Sequence, residues 1–249
     1  MKRKTRQMAG MGLTLAAMFA TAGTVVAKEN AYDFRKRLEI VHEEGLRDVA
    51  LRPAADEIEL KNGLSIVVPA GDRGLVFRAA QDLQDYLTVS MGVAAIVLEK
   101  GAENGTVAQM EIALADNLPP RTATFDTTEA GVRIVASDER AAQQALFHLE
   151  DLMNLRRAPF LKKGQERRRQ LFSPRMTHSG WSIDVFPDAH LRQIAHAGMD
   201  AIVIFIKDID HTAGAEHQDV NDVIRRAKRQ GQHTYLYSYL NPFSHPADP

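Results

Sequence analysis

The chain has 249 residues, 45% hydrophobic and 25% charged, with a formal net charge of -1. Those proportions exclude a wholly disordered chain and leave room for one large domain or two smaller ones. The near-zero charge gives no general electrostatic attraction to nucleic acid or to an anionic surface. The absence of cysteine excludes a disulfide framework and a lipid-modified cysteine.

Residues 1–27 read as an address. Lys2, Arg3, Lys4 and Arg6 precede an uncharged apolar stretch that closes on Val25, Val26 and Ala27, small residues suited to a signal peptidase. The expectation is a signal peptide cut after Ala27, a mature chain beginning at Lys28, and a periplasmic or secreted protein without stable membrane insertion after cleavage. A membrane anchor is the alternative, but Gly, Thr and Ala dilute the stretch. Residues 28–55, with "YDFRKRLEIVHEEGLRDVA", read as a helical segment, either a packing arm or a free linker.

Between residues 56 and 157 strand and helix signals mix. "EIEL" and "LSIVVP" flank Asn62-Gly63 and predict two strands joined as a hairpin. In the next segment Val76, Ala79, Ala80, Leu83, Tyr86 and Leu87 recur at three and four residues, predicting an amphipathic helix with Gly92 just past its end. "VAAIVLE", "MEIALA" and "GVRIVAS" predict further strands. Ser137 is then expected to cap a second helix, acidic in its first turn and ending near Arg156 and Arg157, as the helix dipole favours. Two such helices over one face of a small sheet make a compact α+β domain, and nothing in it suggests catalysis.

The basic run 158–172 carries Lys162, Lys163, Arg167, Arg168 and Arg169, closely preceded by Arg156 and Arg157. Clustered cations can recruit a polyanion, but no aromatics are interleaved for base stacking. A solvated connecting hairpin is the favoured reading, with no nucleic-acid partner.

From Ser173 the rhythm becomes strand, helix, strand, helix, strand. "RMTHSG" is a strand end, "PDAHLRQIAHAG" a helix with Pro187 in its first turn and Gly198 as its stop, and "AIVIFI" a strand buried on both sides. After the polar loop "KDIDHTAGAEHQ", the residues Val220, Val223, Ile224 and Ala227 share a helical face that ends at Gly231, and "HTYLYSYL" is a third strand. Repeated units of this spacing predict a parallel sheet, either doubly wound or a closed barrel. A (β/α)8 barrel takes roughly 250 residues; the 77 from Ser173 to Pro249 suffice for three strands and two helices, which is expected of a fragment.

The small α+β domain, its closing segment "EAGVRIVASDERAAQQALFHLEDLM" and "SPRMTHSGWSIDVFPDAHLRQIAHAGMDAIVIFIKD" together resemble the accessory domain and barrel start of family 20 hexosaminidases and the related alpha-glucuronidases. The resemblance implies a small α+β accessory domain followed by an incomplete (β/α)8 TIM barrel with its first three strands only, over residues 173–249. In the hexosaminidases the first barrel strand carries a sugar-binding arginine in an Arg-Gly opening. Arg175 is the matching position, followed here by Met176. The hexosaminidase catalytic pair lies after the fourth strand, so the catalytic residues are expected downstream of residue 249.

Ligands of such barrels bind at the C-terminal ends of strands. Arg175 is therefore expected to offer a fork of hydrogen bonds, His178 a donor or acceptor, and Trp181 a platform for a sugar ring. Their alternatives are an interdomain pairing for Arg175, a satisfied buried imidazole for His178, and an interface plug for Trp181. Lys207, Asp208 and His211 end the second strand and Tyr239 and Asn241 the third, a mixture suited to exchanging sugar hydroxyls from water to fixed partners. A metal set of His178, Asp208, His211 and His217 is the rival, but no H-x-H or H-E-x-x-H spacing supports it, and neither metal nor cofactor is expected.

Three functions follow: an exported glycoside hydrolase acting on glycosidic bonds of poly- or oligosaccharides, for which the resemblance implies amino-sugar or uronic-acid glycosides; a non-catalytic carbohydrate-binding or scaffold protein; and a metal-dependent barrel hydrolase or isomerase built on His178 and His211. Oligomeric state leaves no trace in the sequence. Fusing residues 1–35 to a reporter active only outside the cytoplasm should give activity and a mature N-terminus near Lys28; N-terminal sequencing of the fusion checks both.

Overall fold

The computed structural model describes residues 36, 39–72, 74–102, 109–178, 186–205 and 220–237. Its largest sheet has six strands in the order β3 (Ala95–Glu99), β2 (Leu64–Val68), β4 (Met110–Leu114), β6 (Gly131–Ala136), β5 (Thr122–Thr128) and β8 (Gly164–Arg169). β2 (Leu64–Val68) is buried along its whole length, because β3 (Ala95–Glu99) and β4 (Met110–Leu114) pair with it in parallel on either side. β4 pairs in parallel with β6 (Gly131–Ala136), and β5 (Thr122–Thr128) returns antiparallel to it.

The hairpin expected around Asn62-Gly63 does not form. β1 (Glu57–Glu59) pairs instead with β7 (Phe160–Lys162) as a separate two-stranded antiparallel ribbon. With both edges of β2 taken by parallel neighbours, no edge is left for β1. Asn62 serves the next connection: its side-chain oxygen accepts from Ala94 N at 2.8 Å, while Gly63 N donates to Ala94 O at 2.9 Å.

Alternation along β5 and β6 leaves Ala123, Phe125, Val132, Ile134 and Ala136 buried, and two helices cover that side. α1 (Leu75–Val89) inserts Val76, Ala79, Ala80, Leu83, Tyr86 and Leu87, as its periodicity predicts. α2 (Glu139–Arg156) is capped by Asp138, not Ser137. The Asp138 carboxylate accepts from Ala141 N at 2.9 Å, and Ser137 Oγ donates to that carboxylate at 2.7 Å; a charged acceptor suits the positive helix terminus better than a hydroxyl.

The described part of the N-terminal segment and the basic run are both built into this domain. Residues 39–55 form turns and bends, not a helix, because their amides bond outward: Arg47 N donates to Ser90 O and Asp48 N to Arg157 O. The segment is a packing arm. The basic run 158–172 supplies β7 and then β8 (Gly164–Arg169), which pairs antiparallel with β5 along six residues and forms the sheet edge. All six β8 residues are exposed, and charge on an edge strand discourages pairing with another chain.

The second half is a three-stranded parallel sheet in the order β11-β10-β9, with β9 (Met176–His178), β10 (Ala201–Phe205) and β11 (His233–Tyr237). α3 (Asp188–His196) and α4 (Val220–Arg229) connect them. Pro187 takes the position before α3, and Gly198 and Gly231 follow the two helices with φ of 79° and 76°. Ile202 and Ile204 of β10 pack on Phe186, Leu191 and Ile194 and on Val223 and Ala227, so both helices lie on one face. On the other face Met176, His178 and Tyr235 are exposed.

The halves meet where the ends of α3 and α4 press on α1 and α2. Gln144 Nε2 donates to Ala195 O at 3.2 Å, Gln143 Nε2 to Gln230 O at 3.1 Å, and Arg78 Nε to Arg229 O at 2.9 Å. Gly231 is the tightest point. A methyl group there would lie 2.7 Å from Gln143 Oε1 and 2.8 Å from Leu75 Cδ2, at a φ that L side chains rarely adopt. Gly231→Ala should lower stability by more than about 1 kcal/mol, read as a shift of the urea midpoint.

Candidate functional site

In a parallel sheet the register decides which residues can share a site. His178 ends β9 and lies level with Val203 of β10 and Tyr235 of β11, so these three project from the face that carries no helix. His178 and Tyr235 are both exposed there. Trp181, Lys207, Asp208, His211, His217, Tyr239 and Asn241 lie outside the described residues. Each follows the C-terminal end of one of the three strands in sequence.

Arg175 is not brought together with His178. It precedes β9, at the strand's N-terminal end, where its carbonyl accepts from Asp200 N and Ala201 N. Its guanidinium donates to Gln144 Oε1 of α2 at 3.3 Å and lies over Gly198, while its Nε is buried without a partner. Asp200 organises this approach: its carboxylate accepts from Arg175 N at 2.5 Å, Gln170 Nε2 at 2.8 Å and Ser173 Oγ at 2.9 Å. Burial alone would raise the Asp200 carboxyl, but these donors hold it below the usual carboxylate range.

Beside Arg175 a cleft of about 550 Å³ runs between α2, β8 and the start of the parallel unit. Gln144, His148, Glu166, Arg168 and Phe172 are among its walls. Glu166 lies 3.4 Å from Arg168 and 3.3 Å from His148, so the basic run is partly neutralised where it meets the cleft. Burial, with the neighbouring Arg168 charge, pushes the His148 imidazole below its ordinary value.

Among the described residues a compact group of ionisable side chains lies at the junction itself, and sequence reasoning did not single it out. His196, at the end of α3, points both ring nitrogens at carboxylates: Nε2 lies 2.8 Å from Asp82 Oδ2 of α1, and Nδ1 lies 3.1 Å from Glu150 Oε2 of α2. His42, from the packing arm, reaches Asp82 Oδ1 at 2.9 Å. Arg192, one turn before His196, also bonds Asp82 Oδ1. The Phe147 ring stacks on His196 with centroids 3.9 Å apart, and Tyr86 meets His42 edge-on.

The charge states follow from burial against pairing. Burial opposes the His196 imidazolium, but hydrogen bonds to Asp82 and Glu150 outweigh it and lift the imidazole to about 9. Burial likewise opposes the Asp82 carboxylate, yet His196 and His42 bond to it and Arg192 adds charge, so it is held well below the usual range. Glu150, only 2% exposed, is raised by burial, which His196 offsets in part. His42, Asp82 and His196 place ligand-type atoms within 4.8 Å of one another. They do not suit a metal ion, because Arg192 already supplies a cation to Asp82 and both ring nitrogens of His196 lie at direct hydrogen-bonding distance from carboxylate oxygens.

The sequence did carry a signal for this cluster. Asp82 falls among Ala79, Leu83 and Tyr86, and Glu150 among Leu146, Leu149 and Met153, on the inward faces of their helices. A carboxylate on an apolar face needs a buried partner.

No family model matches the chain, and no curated protein matches it. Solved structures do. The Flavobacterium johnsoniae family 20 chitobiase superposes with a TM-score of 0.54 at 14% identity, covering 74% of this chain and 32% of that one. A mutant Streptomyces plicatus β-hexosaminidase holding GlcNAc gives 0.53 at 15% identity, covering 79% and 45%. The family 20 β-N-acetylhexosaminidase of Streptomyces coelicolor A3(2) gives 0.51 at 17% identity, covering 74% and 44%. The chain thus has the fold of part of the family 20 β-N-acetylhexosaminidases and spans less than half the length of these structures.

Breaking the junction cluster should be expensive. Asp82→Asn leaves the buried His196 charge without its main partner and should destabilise the protein by about 3 to 5 kcal/mol. Glu111→Gln, which removes the surface pair with Lys100, should cost less than about 1 kcal/mol. Urea unfolding of both variants at neutral pH checks the contrast.

Proposed function

We propose that the chain is the accessory domain and barrel start of an exported glycoside hydrolase acting on amino-sugar or uronic-acid glycosides. The observation that carries this reading is the parallel sheet: its strands run in sequence order, and both of its helices cover one face. A doubly wound sheet has helices on both faces and reverses its strand order, whereas a barrel keeps helices outside and turns the other face inward. Exposed Met176, Tyr235 and Tyr237 are then interior positions awaiting further strands, and exposed Leu236 awaits a further helix. The likeness to family 20 structures supports the same architecture.

In this reading His178, Trp181, Lys207, Asp208, His211, Tyr239 and Asn241 gather at the strand ends and bind a carbohydrate substrate. Fixed polar partners replace water at the hydroxyls, and the indole supplies an apolar platform. The catalytic carboxylates come from later strands. Such a pair, or one carboxylic acid with a substrate that provides its own nucleophile, is what glycoside hydrolysis requires. Arg175 has two candidate duties, sugar ligand and interdomain brace, and its contact with Gln144 favours the brace.

The longest polypeptide that the gene encodes should release chromophore from an aryl N-acetyl-β-glucosaminide or an aryl glucuronide, whereas residues 28–249 alone should release none. Trp181→Ala and His178→Ala in the long form should lower kcat/KM roughly ten- to a hundred-fold, the loss expected for one strong site contact. Arg175→Ala should lower the melting temperature and leave kcat/KM near normal; a large kcat/KM loss at unchanged melting temperature would return it to the sugar site. A folded long form that binds oligosaccharide without turnover would mark a binding protein, and turnover abolished by chelators would mark a metal enzyme.

A further inference from the structure

Four parts of the chain converge on His196. The packing arm brings His42, α1 brings Asp82, Asp85 and Tyr86, α2 brings Phe147, Glu150 and Asp151, and α3 adds Arg192. We propose that His196 is a proton-operated latch whose imidazolium, held between Asp82 and Glu150, locks the parallel unit to the accessory domain and loosens it on deprotonation.

Geometry is the first reason. An imidazolium has two N–H donors and a neutral imidazole has one. With Nε2 at 2.8 Å from Asp82 and Nδ1 at 3.1 Å from Glu150, loss of either proton sets a nitrogen lone pair against a carboxylate oxygen in a site only about one-sixth exposed. The second reason is position. Asp82 and Glu150 belong to the accessory helices and His196 to the first helix of the parallel unit, so the repulsion acts across the junction rather than within one half. Access is the third: a cavity of about 500 Å³ lined by His42, Tyr86, Ser90, Glu150, Asn154 and His196 opens this side of the cluster to solvent.

The direction of the pH effect follows from linkage. The folded-state value of His196 lies near 9, above the ordinary 6.5, so its stabilisation is complete below about pH 6.5 and is lost as pH rises through about 9. Asp82, held low, contributes above its ordinary range and loses that contribution only in acid. Glu150, held high by burial, also contributes less as pH rises, and His196→Gln separates its effect from that of His196.

The chain contains no cysteine, so two spin labels can be placed cleanly. Thr88→Cys on α1 and Lys228→Cys on α4 are exposed positions on opposite sides of the junction. In the full chain the label-to-label distance distribution should be narrow at about pH 6.5 and broad at about pH 10, with a midpoint near 9. The unfolding equilibrium should shift over the same interval by up to roughly 300-fold, the factor that a displacement from 6.5 to 9 allows. His196→Gln in the labelled chain should give a broad distribution at both pH values. A distribution that stays narrow across the range, or a His196→Gln chain that follows the wild-type pH response, overturns the latch. If that variant does not fold, a histidine NMR titration of the unsubstituted chain decides: a His196 midpoint above about 8 supports the proposal and a lower one overturns it. Sharpening of the distribution by added Zn2+ at about pH 10 would also overturn it, since it would show a metal site in place of a proton site.

Discussion

The fold depends on how one carboxylate, Asp82, is satisfied. It projects from the inward face of α1, where burial by itself would neutralise it or expel it. Instead it accepts from His42, Arg192 and His196, which come from the packing arm and from the first helix of the parallel unit. Each of those donors lies far from Asp82 in sequence, so the charge is compensated only when both halves and the arm are assembled. Removing water from such a group makes the contacts obligatory.

The rest of the junction follows the same logic with neutral groups. Gln143 and Gln144 on α2 donate to the Gln230 and Ala195 carbonyls at the ends of α4 and α3. Within the parallel unit the buried Gln232 side chain donates to Leu191 O of α3 at 2.9 Å. Glycine at position 231 lets a helix end approach the Gln143 side chain to a distance that a methyl group would forbid. A close polar joint of this kind makes the accessory domain a mounting for the first strands of the parallel sheet.

The basic run shows how context assigns a role to composition. Seven cations between Arg156 and Arg169 could have been a polyanion site. In the structure Arg156 pairs with Glu57 at 2.8 Å, Lys163 with Glu129 at 2.7 Å, and Arg168 with Glu166 at 3.4 Å, while the backbone of β8 closes the edge of the large sheet. Charge here protects an edge and ties β1 to α2, which fits the sheet-building role that β7 and β8 play.

Periodicity along the chain was enough to find α1, α2, α3 and α4, the strands β2, β3, β4, β6, β10 and β11, and the glycines at 92, 198 and 231 that end helices. Each rests on a local rule of spacing or φ that a neighbouring segment does not alter. The sequence also named His178 as a strand-end residue, because the βαβ rhythm alone fixes where a parallel strand finishes. Partner choice was not legible. β1 and β2 look like a hairpin until the parallel neighbours of β2 are known, and β5, written "TATFDTT", has too few apolar residues to announce a strand that two neighbours stabilise. Ser137 and Asp138 are both acceptable caps, and only the backbone conformation chooses between them. The placement of Arg175 against Gln144, and the meeting of His42, Asp82, Glu150 and His196, were decided by tertiary structure, because their ingredients are separated by 31 to 154 residues and are brought together by packing that no local pattern encodes.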